Sequence, residues 1–239
     1  EAVDACYIVL PTFRLAPLVD DDALTIRGGD ITPTSSAKAY ADELDSLAQL
    51  CADSYAARIP TCVSVSNATI AKRLARQLNA TGTPARVVLQ ETPGAERTAV
   101  YAEVQDGAAI LIQIRVLSVG ADLPRLRRLI DCQPTLSPVL WLQTVGRVMR
   151  SAPGKTSENT EVLVTNRNLE RHAYLLEGLV PGAVVAESQD EFDGPSARAG
   201  GGRVLGFERL GKFKQLRARL AAGGFVTFYS LYAQTPGAS

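Results

Sequence analysis

Ala109-Ile110-Leu111-Ile112-Gln113-Ile114 is the stretch that decides the fold. Every position but Gln113 is apolar. A strand with one wet face would alternate, whereas a strand covered on both faces reads as a nearly continuous apolar run, as in buried parallel sheets. The neighbouring sequence supplies what such a strand needs. Ala85 to Leu89 reads as a strand, and Thr92-Pro93 opens a helix to about Val104, with proline in its tolerated first turn. Further upstream, Cys62-Val-Ser-Val-Ser66 is a short strand. Asn67 then caps a helix through Leu78, with Ala71, Leu74, Ala75 and Leu78 as its apolar stripe. Downstream come a strand from Leu126 to Cys132, a helix from Ser137 to Met149, a strand from Glu161 to Thr165 and a helix from Asn168 to Leu176. Strands and helices alternating at this length predict an α/β fold, a parallel sheet with helices on both faces.

The flanks differ. Ser35 to Ile59 reads as one helix, capped by Ser35 or Ser36 and stopped by Pro60, with Leu44, Leu47, Leu50 and Cys51 on its apolar face. Residues 1–60 therefore form a connector and helix leading into a domain at 61–180. The acidic, glycine-bearing stretch 181–204 reads as a linker. Residues 205–239 are a basic and aromatic extension. Its Lys212 to Arg219 run suits a helix face turned to solvent or to an acidic partner, and Phe225 to Tyr232 suits an aromatic strand or a docking segment.

Composition excludes several functions. The 239 residues are 46% hydrophobic and 21% charged, enough for a sizeable core, and 25 basic residues balance 25 acidic ones. Binding to nucleic acid must then come from local patches rather than net charge. Cys6, Cys51, Cys62 and Cys132 show no C-x-x-C pairing and His172 is the sole histidine, which argues against zinc and for reduced, buried thiols. No apolar run approaches a membrane span. A cytoplasmic or equivalent reducing compartment is expected (the host cytoplasm if the chain is phage-encoded).

Chemistry concentrates in Gln143-Thr144-Val145-Gly146-Arg147-Val148-Met149-Arg150, with Gly120-Ala121-Asp122-Leu123-Pro124 upstream. Two arginines three apart share one helix face. Their planar, permanently charged forks suit a phosphate held by something else, as an arginine finger does. Arg115, Arg125, Arg127 and Arg128 form a basic cluster near the upstream loop. It fits a phosphate backbone or a solvated edge equally well.

Taken together, Thr61 to His172 resembles the second RecA-like domain of superfamily-two helicases, and is most similar to the DEAD/DEAH-type DNA helicases of phages and bacteria. The likeness rests on Thr92-Pro93-Gly-Ala-Glu96-Arg97, Gly120 to Pro124, Pro134-Thr135-Leu-Ser137, Gln143 to Arg150, Ala152-Pro-Gly-Lys155, Asn168 and His172, in that order. Arg27-Gly-Gly-Asp30 matches the connector that precedes this domain. The resemblance implies that Gln143, Arg147 and Arg150 are catalytic, reaching the triphosphate of ATP across an interdomain cleft. It implies that Gly120 and Asp122 couple nucleotide to nucleic acid, and the basic residues Arg115, Arg125 and Arg128 are candidates to contact the strand, with DNA the expected nucleic acid. The sequence holds no G-x-x-x-x-G-K-[ST]. ATP and its Mg would be held by a first RecA-like domain, the expected partner in cis or trans, and this chain alone is not expected to hydrolyse ATP. Asp42-Glu43-Leu-Asp45 is read as a solvated helix face rather than a nucleotide-site acid pair.

The departures are specific. Ile114-Arg115 replaces a usual Thr-Asp, Val119 an acid, Gln90 a glycine, and Val164-Thr165 an Asp-His pair. Loss of the hydroxyl at Ile114 weakens the expected grip on a strand. The alternative is therefore a degenerate helicase fold serving as a binding or scaffold module, with residues 205–239 docking on protein or RNA.

Overall fold

The computed structural model describes residues 8–16, 18–19, 21, 24–114, 123–172, 175, 183–185, 203–210, 213–219 and 225–228. Six parallel strands form the body of the sheet, in spatial order β5 (Ala85–Val88), β6 (Ile110–Ile114), β4 (Thr61–Val65), β7 (Arg128–Cys132), β8 (Glu161–Val164) and β1 (Thr12–Leu15). β4 is central and wholly buried, and its register places Ser64 between Gln113 and Asp131.

The alternation of side chains along each strand divides the core in two. Cys62, Leu111, Leu129 and Val162 point to one face, where they meet Val100 and Val104 of α4 (Gly94–Gln105), Trp141, Val145 and Val148 of α5 (Pro138–Val148), and Leu169 of α6 (Asn168–His172). Val63, Ile112, Ile130 and Leu163 point to the other. There they pack with Ala37 and Tyr40 of α1 (Pro33–Asp42), Leu47 and Cys51 of α2 (Leu44–Ala56), and Ile70, Leu74 and Leu78 of α3 (Ala68–Ala80). Helices thus cover both faces, as the apolar run in β6 requires.

Several boundaries differ from the sequence reading. The single helix expected over Ser35 to Ile59 is two, α1 and α2, divided at Glu43. Its cap is Thr32, whose side chain accepts from Ser35 N, and Pro33 occupies the first turn. The Asp42 to Asp45 stretch straddles that break with both aspartates exposed, consistent with a solvated face. Residues 1–60 are not only a connector, because β1 is a sheet strand and α1 and α2 cover the core. Arg27-Gly28-Gly29-Asp30 forms the turn of a small hairpin, β2 (Ile26–Arg27) and β3 (Asp30–Ile31), with φ of +64° and +81° at the glycines. Downstream, β9 (Ala183–Val185) falls in the expected linker. β10 (Arg203–Leu210), β11 (Phe213–Arg219) and β12 (Phe225–Phe228) are strands, and β11 pairs antiparallel with β1. The basic run expected as a helix face is thus strand, while Phe225–Phe228 is the strand that its aromatic and β-branched residues predict.

Candidate functional site

α5 carries the arginine motif. Ser137 caps it by accepting from Leu140 N at 3.3 Å, and Pro138 sits in its first turn. Trp141, Thr144, Val145 and Val148 are its buried residues. At 100° per residue, Val139, Gln143, Gly146 and Arg147 fall on the opposite side. Val139 is 63% exposed, Gln143 is exposed and Arg147 half-buried. Arg150, also half-buried, lies just past the helix, where its backbone bridges Ile8. Arg147 is close enough to Tyr101 of α4 to favour the ionised phenol, although burial, the larger influence, raises that group. Gly120, Asp122 and Arg115 fall outside the described residues.

Buried polar contacts lock the start of α5. Asp131, 1% exposed near the end of β7, accepts from Trp141 Nε1 at 3.1 Å, from Asn168 Nδ2 at 2.8 Å and from Gln133 N at 3.2 Å. Burial pushes its carboxyl up to about 6, against the pull of these donors. Asn168 also donates to Gln133 O at 2.8 Å and accepts from Thr135 N at 2.9 Å. His172 contacts Thr135 O at 3.0 Å and lies with its ring 5.5 Å from that of Trp141. Burial lowers its imidazole below the usual range. From the hairpin, Asp30 accepts from Leu136 N at 2.7 Å and from Thr135 Oγ1. The Pro134-to-Ser137 turn is thus held by Asp30, Asn168 and His172 from three separate segments. These closing residues brace α5 and bear no nucleophile.

Two other motif residues make contacts to backbone carbonyls. Arg97 donates through Nη2 to the carbonyls of Leu89, Gln90 and Thr92, fixing the loop before α4. Lys155, 8% exposed, donates to Pro124 O at 3.1 Å and so ties Ala152-to-Lys155 to the end of Gly120-to-Pro124.

The basic cluster is not used uniformly. Arg128 lies at the amino end of β7, donates to Ser54 Oγ at 2.6 Å and is bound to Glu161, with its side chain 13% exposed. Arg125 pairs with Asp106 at 2.8 Å, with both side chains more than half exposed. Cys51, Cys62 and Cys132 are buried and free, and burial raises all three thiols, Cys51 to about 12. Among the described residues no group of acids, histidines and cysteines could hold a metal ion, and no helix is long and apolar enough to cross a membrane.

Residues 44–152 match the helicase conserved C-terminal domain. Over those residues, somewhat under half of the chain, it is similar to the second RecA-like domain of superfamily-two helicases. A fragment of a protein assigned as the HsdR subunit of a type I restriction enzyme from Vibrio vulnificus shares the fold. It is 16% identical with a TM-score of 0.56, over 72% of this chain and 35% of that one. A DEAD box protein from Methanococcus jannaschii is 18% identical over 74% of this chain and 40% of its own, with a TM-score of 0.47. The E. coli DEAD-box protein SrmB is 21% identical over 49% of this chain and 65% of its own, at 0.38. The chain thus spans between 35% and 65% of these three. No curated protein matches it.

Sequence reasoning passed over Asp131 and Trp141, and named Asp30 only as the end of the connector segment. A carboxylate inside the apolar run Leu129-Ile-Asp-Cys132 was the available signal, because a buried strand carries an acid only where donors meet it.

Proposed function

We propose that the chain is the C-terminal motor domain of an ATP-dependent nucleic-acid helicase or translocase. It would supply Arg147 and Arg150 to ATP and Mg held by a first RecA-like domain, with Gln143 beside them. The observation that carries this reading is the outward side of α5. Gln143 and Arg147 lie opposite the buried Trp141, Val145 and Val148, on a helix whose start is held by Asp131, Asn168 and Asp30. Preorganised cations contribute most when the structure, not the substrate, fixes their position. The Mg-bound triphosphate would supply the group that is transferred, and this chain's arginines would offset the charge developing on it. Closing the cleft would bring the two halves together, and hydrolysis would release them.

Nucleic acid would be contacted by Arg115 and Arg125, with Gly120 and Asp122 linking that contact to the nucleotide; DNA is the strand proposed. The commitment of Arg128 to Glu161 and Ser54 favours a structural role for it. Joining the chain to a first domain that bears a phosphate-cradling loop, and measuring DNA-stimulated ATPase, tests the whole reading. Arg150→Ala and Arg147→Ala should each lower turnover by about 10³-fold or more. Turnover unchanged by both would remove the finger assignment.

Ile114 and Val119, which depart from the helicase pattern, favour a second reading, a helicase-fold binding module. A joined protein that binds DNA yet shows no stimulated ATPase would select it.

A further inference from the structure

The Ala152-to-Lys155 turn walls a cavity of ≈ 180 Å³ that Gln143, Arg147 and Arg150 do not line. Pro60, Gln105, Arg125, Arg127 and Lys155 form the rest of it. Three of its side chains are cationic, and the acid that reaches them among the described residues is Asp106, which takes Arg125 in an exposed pair worth little. Arg127 is half-buried and has no carboxylate partner among the described residues. Lys155 is 92% withdrawn from water by the complement of its 8% exposure, and Pro124 O takes one of its three ammonium protons. Burial draws its ammonium down to about 8, and no carboxylate pairs with it among the described residues. A buried charge without a partner is costly, and an external anion relieves that cost.

The wall is built rather than loose. Asn159 donates to Gly154 O at 2.9 Å and accepts from Thr156 N at 2.9 Å, while Arg127 N and Arg128 N both donate to Pro60 O at 3.0 Å. The volume is below that of a drug-sized pocket and suits a small oxyanion. An arginine fork with a lysine point charge is the usual pairing for phosphate.

We propose that this cavity is a second anion site, in which Lys155 and Arg127 bind a phosphoryl oxyanion and Arg125 serves as a rim cation. The site stands independently of the arginine motif and shares with the motor reading only its rim residue, Arg125. Its phosphate could belong to a free phosphorylated small molecule or to a nucleic-acid backbone, and the two sources separate by experiment.

Calorimetric titration of the full chain with inorganic phosphate, acetate and a short single-stranded oligodeoxynucleotide, at matched ionic strength, tests it. Phosphate should bind more tightly than acetate, and Arg127→Gln and Lys155→Gln should each weaken it by about tenfold or more. A backbone source predicts that Arg127→Gln also weakens the oligonucleotide and lowers its salt dependence by about one released counterion. A free source predicts loss of phosphate binding with the oligonucleotide untouched. Acetate bound as tightly as phosphate, or phosphate bound equally by the parent and both variants, overturns the proposal. Should Lys155→Gln fail to fold by circular dichroism, Arg127→Gln decides alone, since its half-buried side chain holds no ion pair among the described residues.

Discussion

Asp131 is a carboxylate that the sheet buries and three donors hold. Its protonation has a sign that can be worked out. Its native value is about 6 against 3.8 for the free group, so between these values the folded chain keeps a proton that the unfolded chain has lost. The associated stability is complete below 3.8 and is lost as pH rises to about 6. Trp141 is the single tryptophan and donates to this carboxylate, so its fluorescence reports the event directly. Emission should titrate with a midpoint near pH 6, and the step should vanish in Asp131→Asn; a midpoint near 4 would place the carboxylate in water. Gln113 is a second test at this scale. It is fully buried in β6 and neither amide atom meets a partner among the described residues. Gln113→Met keeps the volume and removes an unsatisfied amide. Urea denaturation should show a gain of about 1 kcal/mol or more.

Among elements, α5 links the fold most directly to the proposed function. Ser137→Ala removes its cap and should cost about 1 kcal/mol in chemical denaturation. In the joined protein it should also lower ATPase without abolishing it, because Asp131, Asn168 and Asp30 still hold the turn. Much of this was legible in the sequence. Asn67 was readable as a cap, since it precedes an apolar period, and it accepts Ile70 N; Ser137 was read only as the start of its helix, and the structure makes it the cap that accepts Leu140 N. The run Ala109 to Ile114 was readable as a buried strand. The break at Glu43 was not, because Leu44, Leu47 and Cys51 continue an apolar period across it with no glycine or proline to mark the junction. The role of Arg128 was hidden for a different reason. Its partners Ser54 and Glu161 lie 74 and 33 residues away, so charge spacing alone reads as an open basic cluster. Asp30 is hidden in the same way, 105 residues from Thr135.

At the scale of the whole molecule, the parallel body and the C-terminal strands are one sheet. β1 lies between β8, which it pairs in parallel from Thr12 to Leu15, and β11, which meets Arg14 and Leu15 in antiparallel register. The sequence hid this because β1 and β11 are some 200 residues apart in register, Arg14 facing Gln215, and neither run alone carries a strong strand period. The consequence is testable. With β11 in place, β1 is interior and its outward backbone groups are partly paired. Ending the chain after residue 180 would leave β1 as an open edge beside a hydrophobic core, a template for pairing with another copy. The truncated chain should therefore keep its parallel core, because β1 retains β8 and Phe13 remains in the cluster with Trp141. It should also self-associate at concentrations where the full chain does not, as read by analytical ultracentrifugation. Leu15→Pro in the truncated chain should suppress that association, since Thr12 N and Ala16 N donate to β8, the alternate Leu15 N–H faces the open edge, and proline cannot donate to an added strand. A truncated chain that stays monomeric without the proline would show that β11 does not guard this edge.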